Sequence, residues 1–189
     1  NEGATFDNAF CTTALCSPTR TALLSGRNHH TNNMGSIAET GTGFPGQTGQ
    51  RPDSVAPVAE MLRLNGYSTS FYGKNHETAT WEISISGPTT RWPNRSGFDE
   101  FYGVVNQTHA HNHYPDFVWR NAEKVPLQNV VTPVGAVPGA GYATTRVQYA
   151  NDLFFEEAAA FLDRTRDRPF FLYFATPHEL DTRVALYDT

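Results

Sequence analysis

The feature that most constrains the fold lies near the end of the chain, where an amphipathic segment runs into an unbroken apolar one. In residues 144–165, TTRVQYANDLFFEEAAAFLDRT, the residues Val147, Leu153, Phe154, Ala158, Phe161 and Leu162 fall roughly along one side of a helix. Residues 168–178, RPFFLYFATPH, follow, and their run Phe170–Ala175 contains no charged side chain. A strand with one wet face would alternate. This one suits a strand covered on both faces, as in a largely parallel sheet.

A second pair of the same kind lies upstream. In DSVAPVAEMLRLNGYSTSFYGKNHE, residues 53–77, the positions Val55, Val58, Ala59 and Leu62 recur at helical spacing. Ser54 is the expected N-cap and Asn65-Gly66 the stop. YSTSFYG, residues 67–73, then reads as a short strand. Helix, strand, helix, strand in this order predicts an α/β layer structure with a mixed, largely parallel sheet between helices. A further helix is expected after Cys16, with Ser17 as cap, Pro18 in the first turn, Ala22-Leu23-Leu24 as apolar content and Gly26 as its end. Residues 31–52 are polar and glycine-rich and are expected to form a long surface loop, of the kind that often carries function. Little regular structure is expected over residues 77–143.

Composition narrows the function classes. With 39% hydrophobic and 13% aromatic residues in 189, the chain supports a packed core. Its formal net charge of -5 gives no basic field, so no nucleic-acid partner is expected. No apolar run is long enough for a membrane span. The opening NEGATFDNAF reads as the middle of a longer chain, and the sequence assigns no compartment, whether cytoplasmic, periplasmic or secreted. Cys11 and Cys16 are too few for a disulfide scaffold, and Cys11 reads as a small buried apolar residue.

The polar residues that stand out are grouped by the predicted elements. Open α/β sheets gather ligand groups at the carboxyl ends of their strands, and Lys74, His76 and His178 each follow a predicted strand. Cys16 stands at a helix N-terminus, where free N–H groups and the helix dipole favour negative charge. Arg20, one turn on, carries a fork of donors suited to an oxyanion. Each has an ordinary structural explanation, a solvated arginine or a structural histidine. Together they describe a pocket for a tetrahedral oxyanion around a sulfur-bearing side chain.

The motifs then match a known family. Cys16-Ser17-Pro18-Thr19-Arg20, continued by TALLSGRNHH, resembles the Cys-x-Pro-x-Arg signature of the type I sulfatases, within the alkaline-phosphatase-like superfamily. NGYSTSFYGKNHE resembles their Gly-Lys-x-His signature, and GFDEFYG and RPFFLYFATPH match two further segments in the family's order. The resemblance implies an alkaline-phosphatase-like fold and a sulfuric ester hydrolase of arylsulfatase type, acting on a small sulfate monoester of a phenol or a sugar. It implies a partner too, the formylglycine-generating enzyme that oxidises Cys16 to formylglycine. Residues 1–189 would be the central portion of the N-terminal catalytic domain, without its start and its C-terminal part.

By matching motif, Cys16 as formylglycine is the nucleophile and a ligand of a divalent cation, usually Ca2+, with Mg2+ the alternative. Arg20 neutralises the diol oxygens, Lys74 binds a sulfate oxygen, His76 orients or deprotonates the diol, and His178 contacts the sulfate. In NQTHAHNHYP, Thr108 and His109 are further substrate-binding candidates. His109, His111 and His113 alternate, so on an extended strand they would share one side, as a zinc-like cluster or, the preferred reading, a solvated loop. Trp81, Trp92, Tyr102, Tyr114 and Trp119 are candidates to line a pocket for a ring. The family's carboxylate pairs for the metal, and its second catalytic lysine, have no counterpart here. Asp181 and Asp188 lie in ELDTRVALYDT, which does not match the family's continuation, and Asn75 stands where tryptophan is common. The alternatives are a phosphonate or phosphate monoester hydrolase of the same superfamily, and a truncated non-catalytic domain that binds anions.

Overall fold

The computed structural model describes residues 7–83 and 86–177. Helix α1, Cys16–Ser25, is followed by α2, Val58–Leu64, and strand β1, Ser68–Lys74. Next come β2, Glu100–Val104, the single turn α3, Gln107–Ala110, and the short strands β3, Phe117–Arg120, and β4, Glu123–Pro126. A separate hairpin, β5 Val130–Pro133 and β6 Gly141–Thr145, precedes α4, Ala150–Arg164, and β7, Phe170–Ala175.

The main sheet has the order β4-β3-β2-β1-β7. β1 runs parallel to β2, pairing Tyr72 with Tyr102 and Gly73 with Gly103, and parallel to β7, pairing Phe71 with Tyr173. β3 and β4 add an antiparallel edge. The expected mixed α/β sheet between helices is therefore present, with its parallel part built from the three strands nearest the site.

Alternation along the central strands sends side chains to opposite faces and so divides the core in two. Phe71, Phe101, Phe117 and Trp119 pack with Leu24 of α1, Ala59 of α2 and Trp92. Tyr72, Tyr102, Val104 and Val118 pack instead against Ala150, Phe154, Ala158 and Phe161 of α4. The face predicted for α4 is thus the one it buries from Phe154 to Phe161, although Leu162 is 40% and Val147 54% exposed.

Several sequence expectations are corrected. The helix expected over 144–165 begins only at Ala150, because Gly141–Thr145 is taken up as a hairpin strand. Residues 77–143 hold five strands, β2 to β6, wholly or in part, where little was expected; these strands are short and pair across turns that carry weak local signals. Neither predicted cap holds. Leu15 precedes α1 and Pro57 precedes α2, neither with a side-chain cap bond, while Ser17 lies buried inside the first turn. Gly26 does end α1, in the left-handed conformation at φ 66°, its N–H on the Ala22 carbonyl. β7 is not covered on both faces among the described residues: it lies at the sheet edge, with Phe170 42% and Phe174 40% exposed. Cys11 is exposed rather than buried.

Candidate functional site

Four segments converge where β1 and β2 end. The first is the start of α1. Cys16 is its first residue and half-buried, and the turn is fixed by Thr19, whose hydroxyl donates to the Thr13 carbonyl at 2.5 Å. No acidic side chain occupies the first turn, so the positive end of the helix is left for another anion.

The second is the carboxyl end of β1. Lys74 is 5% exposed, and its Nζ lies 3.3 Å from Cys16 Sγ and 2.5 Å from Gln107 Oε1. Its carbonyl accepts from Arg20 Nη1 at 3.1 Å, which binds α1 to the strand end. Asn75 continues the ladder by donating its N–H to Val104 O at 2.9 Å, and its side chain bonds Thr78 Oγ1 at 2.8 Å. The chain then turns sharply. His76 has φ 69°, a left-handed conformation that costs a non-glycine residue about 1–2 kcal/mol and persists only where surroundings impose it.

Close packing of the strands makes this possible. A Cβ on Gly73, itself at φ 109°, would stand 2.1 Å from the Ala175 carbonyl oxygen, and one on Gly103 would stand 1.9 Å from that of Gly73. Glycine at both positions lets three backbones approach immediately before Lys74.

The third and fourth segments, within residues 31–52 and NQTHAHNHYP, were singled out from sequence, but the residues they contribute, Glu39, Asn106 and Gln107, were not. Glu39, in a 3-10 turn Ala38–Thr40, places its Oε2 2.7 Å from His76 Nε2 and accepts from Asn106 Nδ2 on Oε1 at 3.1 Å. Asn106 also caps α3, its Oδ1 accepting the Thr108 N–H at 2.8 Å. Residues 31–52 are therefore not a free surface loop: Asn32, Met34 and Ala38 are buried, and the Ala38 N–H donates to Ser17 Oγ at 3.2 Å. Ser17, expected as a cap, instead fastens this loop to α1.

Electrostatics follow from the geometry. The His76 imidazole does most to lower the Cys16 thiol; burial opposes it, and the charge and hydrogen bond of Lys74 add to the lowering, leaving the thiol at about 6. Burial would raise the Glu39 carboxyl, but the hydrogen bond and charge of His76 bring it below its ordinary value. Behind His76, the buried Glu77 carboxyl is pushed up by burial, with Arg51, Thr21 and Arg20 holding it back in part.

The other predicted site residues divide. His178, with Asp181 and Asp188, lies outside the described residues. His109 is 1% exposed, its Nε2 within 2.9 Å of the Phe117 carbonyl oxygen and its ring against Phe117; burial lowers it to about 4. Thr108 is exposed one position away. It is Gln107, in the same segment, whose side chain reaches Lys74. His109 sits in a helical turn rather than an extended strand, so the one-sided row of three histidines does not form. Trp92, Tyr102 and Trp119 belong to the core at 2%, 5% and 4% exposure. A cleft of about 530 Å3 does open beside Cys16, lined also by Leu15, Arg20, Leu23, Cys11 and Tyr173. Among the described residues no group of three or more His, Cys, Asp or Glu side chains is placed to hold a metal ion, so these residues do not by themselves fit a divalent cation.

A family model described as Sulfatase matches residues 1–179. Human N-acetylgalactosamine-6-sulfatase is 29% identical over 191 residues, covering 92% of this chain and 32% of that protein. The arylsulfatase of Hemicentrotus pulcherrimus is 28% identical over 192 residues, covering 94% and 31%. The chain spans about a third of the length of these relatives. Among solved structures, BT4656 in complex with its substrate D-glucosamine-2-N,6-O-disulfate superimposes with a TM-score of 0.59 at 21% identity, over 93% of this chain and 27% of that one, a likeness of fold.

Proposed function

We propose, on the premise that this chain belongs to the sulfatase family, that it carries the nucleophile-bearing part of a sulfuric ester hydrolase, with Cys16 converted to formylglycine. The observation that carries the reading is the placing of a cysteine at a helix N-terminus with the Lys74 ammonium 3.3 Å from its sulfur and the His76 imidazole beside it. A thiol kept only for packing needs neither group.

Hydrated formylglycine supplies two hydroxyls on one carbon: the oxygen of one bonds sulfur as the sulfur–ester oxygen bond breaks, its proton passing to the departing alcohol, and loss of the other's proton lets its electron pair form C=O while the carbon–oxygen bond to sulfate breaks. The second nucleophile is thus built in, and release becomes unimolecular. The chain's own residues do the rest. The free N–H groups of α1 and the Lys74 ammonium stabilise the oxyanion at position 16. Gln107, bonded to Lys74 Nζ, fixes that ammonium. Arg20 joins α1 to the end of β1, so that nucleophile and cation move as one body. His76 takes the proton in the release step, and His178 contributes a contact to the sulfate. The cleft beside Cys16, with Tyr173 and Leu23 on its wall, takes the alcohol part of the ester, an aryl or sugar ring. A divalent cation, calcium by family habit, requires ligands beyond those described.

Mass spectrometry of the Cys16 peptide, from protein co-expressed with a formylglycine-generating enzyme, tests this directly. Aldehyde in place of thiol, together with faster turnover of nitrophenyl sulfate than of a phenyl phosphonate, is the expected result. An unmodified thiol under those conditions would overturn the reading. Aldehyde with phosphonate preferred would move the activity to the phosphonate hydrolases.

A further inference from the structure

We propose that Glu39 is the positioning residue that fixes the orientation and tautomer of His76, an inference that rests on reading Cys16 as the nucleophile position. The carboxylate of Glu39 only accepts hydrogen bonds, so the ring nitrogen 2.7 Å away, Nε2, carries the hydrogen. A neutral ring then has its lone pair on Nδ1. That atom is buried and has no hydrogen-bond partner among the described residues, while the residue as a whole is 1% exposed, so no bulk water competes for it. Nδ1 is the base that remains for the proton of position 16.

Glu39 is itself held at its carboxylate and through the turn that bears it. Its second oxygen accepts from Asn106 Nδ2 at 3.1 Å, and Asn106 is the cap of α3. The turn that bears it is tied to α1 through the Ala38 N–H and Ser17 Oγ, so Glu39 is anchored to the helix that begins with Cys16. On the other side the His76 backbone is set at φ 69° between Asn75, bonded to β2, and the buried Glu77. When Nδ1 takes up a proton, the imidazolium stands against a carboxylate already in hydrogen-bond contact. No rearrangement is needed.

The test compares the protein, co-expressed with a formylglycine-generating enzyme, with its Glu39→Gln and Glu39→Asp variants on nitrophenyl sulfate. Glu39→Gln should lower kcat about 10- to 100-fold with little change in KM, as when the partner of a functional histidine is lost, and Glu39→Asp should keep more of kcat than Glu39→Gln. The independent readout is the 15N spectrum of the His76 ring, recorded in the unconverted protein, which should show hydrogen on Nε2 and become a tautomer mixture in Glu39→Gln. A variant with wild-type kcat, or a wild-type ring protonated on Nδ1, would overturn the inference. If the wild type neither carries aldehyde nor turns over, the functional reading fails, and the ring spectrum still decides the part played by Glu39.

Discussion

Gly103→Ala should separate β1 from β2 at the point where both deliver residues to the site. A Cβ there would sit 1.9 Å from the Gly73 carbonyl oxygen and 2.8 Å from its carbon, and the obstacle is backbone, not a side-chain end that can swing away. Reaching even a 3.0 Å contact requires the strands to part by more than an ångström. The bond from the Asn75 N–H to Val104 O, at 2.9 Å, lies next along this ladder and would lengthen with it. One or two weakened ladder bonds at about 1 kcal/mol each, with about 1–3 kcal/mol of overpacking, give a loss of about 3 kcal/mol. For a domain of this size that lowers Tm by roughly 6–12 °C. Gly26→Ala is the control: Gly26, unlike Gly103, is at positive φ, 66°, but nothing lies within 4 Å of its Cβ position. It should cost only about 1 kcal/mol from the left-handed backbone. Scanning calorimetry of the purified protein gives both shifts. Equal shifts for the two variants would refute the claim that close approach of β1 and β2, rather than glycine's backbone freedom, is what Gly103 provides.

Two pH predictions follow from the site and the core. Unconverted Cys16, with its thiol at about 6, should react with iodoacetamide at a rate that rises through pH 6 and levels off near neutrality; a rate still climbing steeply at about pH 8, as for an ordinary thiol, would contradict the arrangement of Lys74 and His76. His109 is held neutral, its folded value of about 4 lying below an unfolded histidine's 6.5, so the unfolded chain binds the proton first as pH falls. The stability this neutral ring contributes is complete above 6.5 and drains away as pH falls to about 4, by roughly 3 kcal/mol in all. Denaturant midpoints across that window measure it, and His109→Gln should flatten the slope.

What the sequence made legible is local. The Gly26 stop, the strand running into Lys74, and the apolar side of α4 at Phe154, Ala158 and Phe161 each express a period or a terminator within a few residues. Lys74 beside Cys16 was legible because the carboxyl end of a parallel strand and the start of a helix are where an α/β layer places polar groups. What was missed depends on contacts between distant segments. Glu39 lies 37 residues from His76 and Gln107 lies 33 from Lys74, each in a short turn with no periodicity of its own. The segment NQTHAHNHYP drew attention to its histidines because alternation suggested a strand. Asn106 makes it a helical turn instead, which buries His109 and turns Gln107 to the site.

These misses have one cause. Each of the four converging segments is fixed by backbone contacts and then offers one or two side chains: Cys16 from α1, Lys74 and His76 from the end of β1, Glu39 from the loop, Gln107 from α3. The side chains also bridge the segments, Lys74 to Gln107, Arg20 to the Lys74 carbonyl, Glu39 to both His76 and Asn106. A bridge of this kind holds a charged group in place at low entropic cost, since both its ends are already ordered by the fold. Lys74 and His76 therefore keep their positions because the loop and α3 are packed against them, and a change at Glu39 or Gln107 should alter the reactivity of position 16 without touching it.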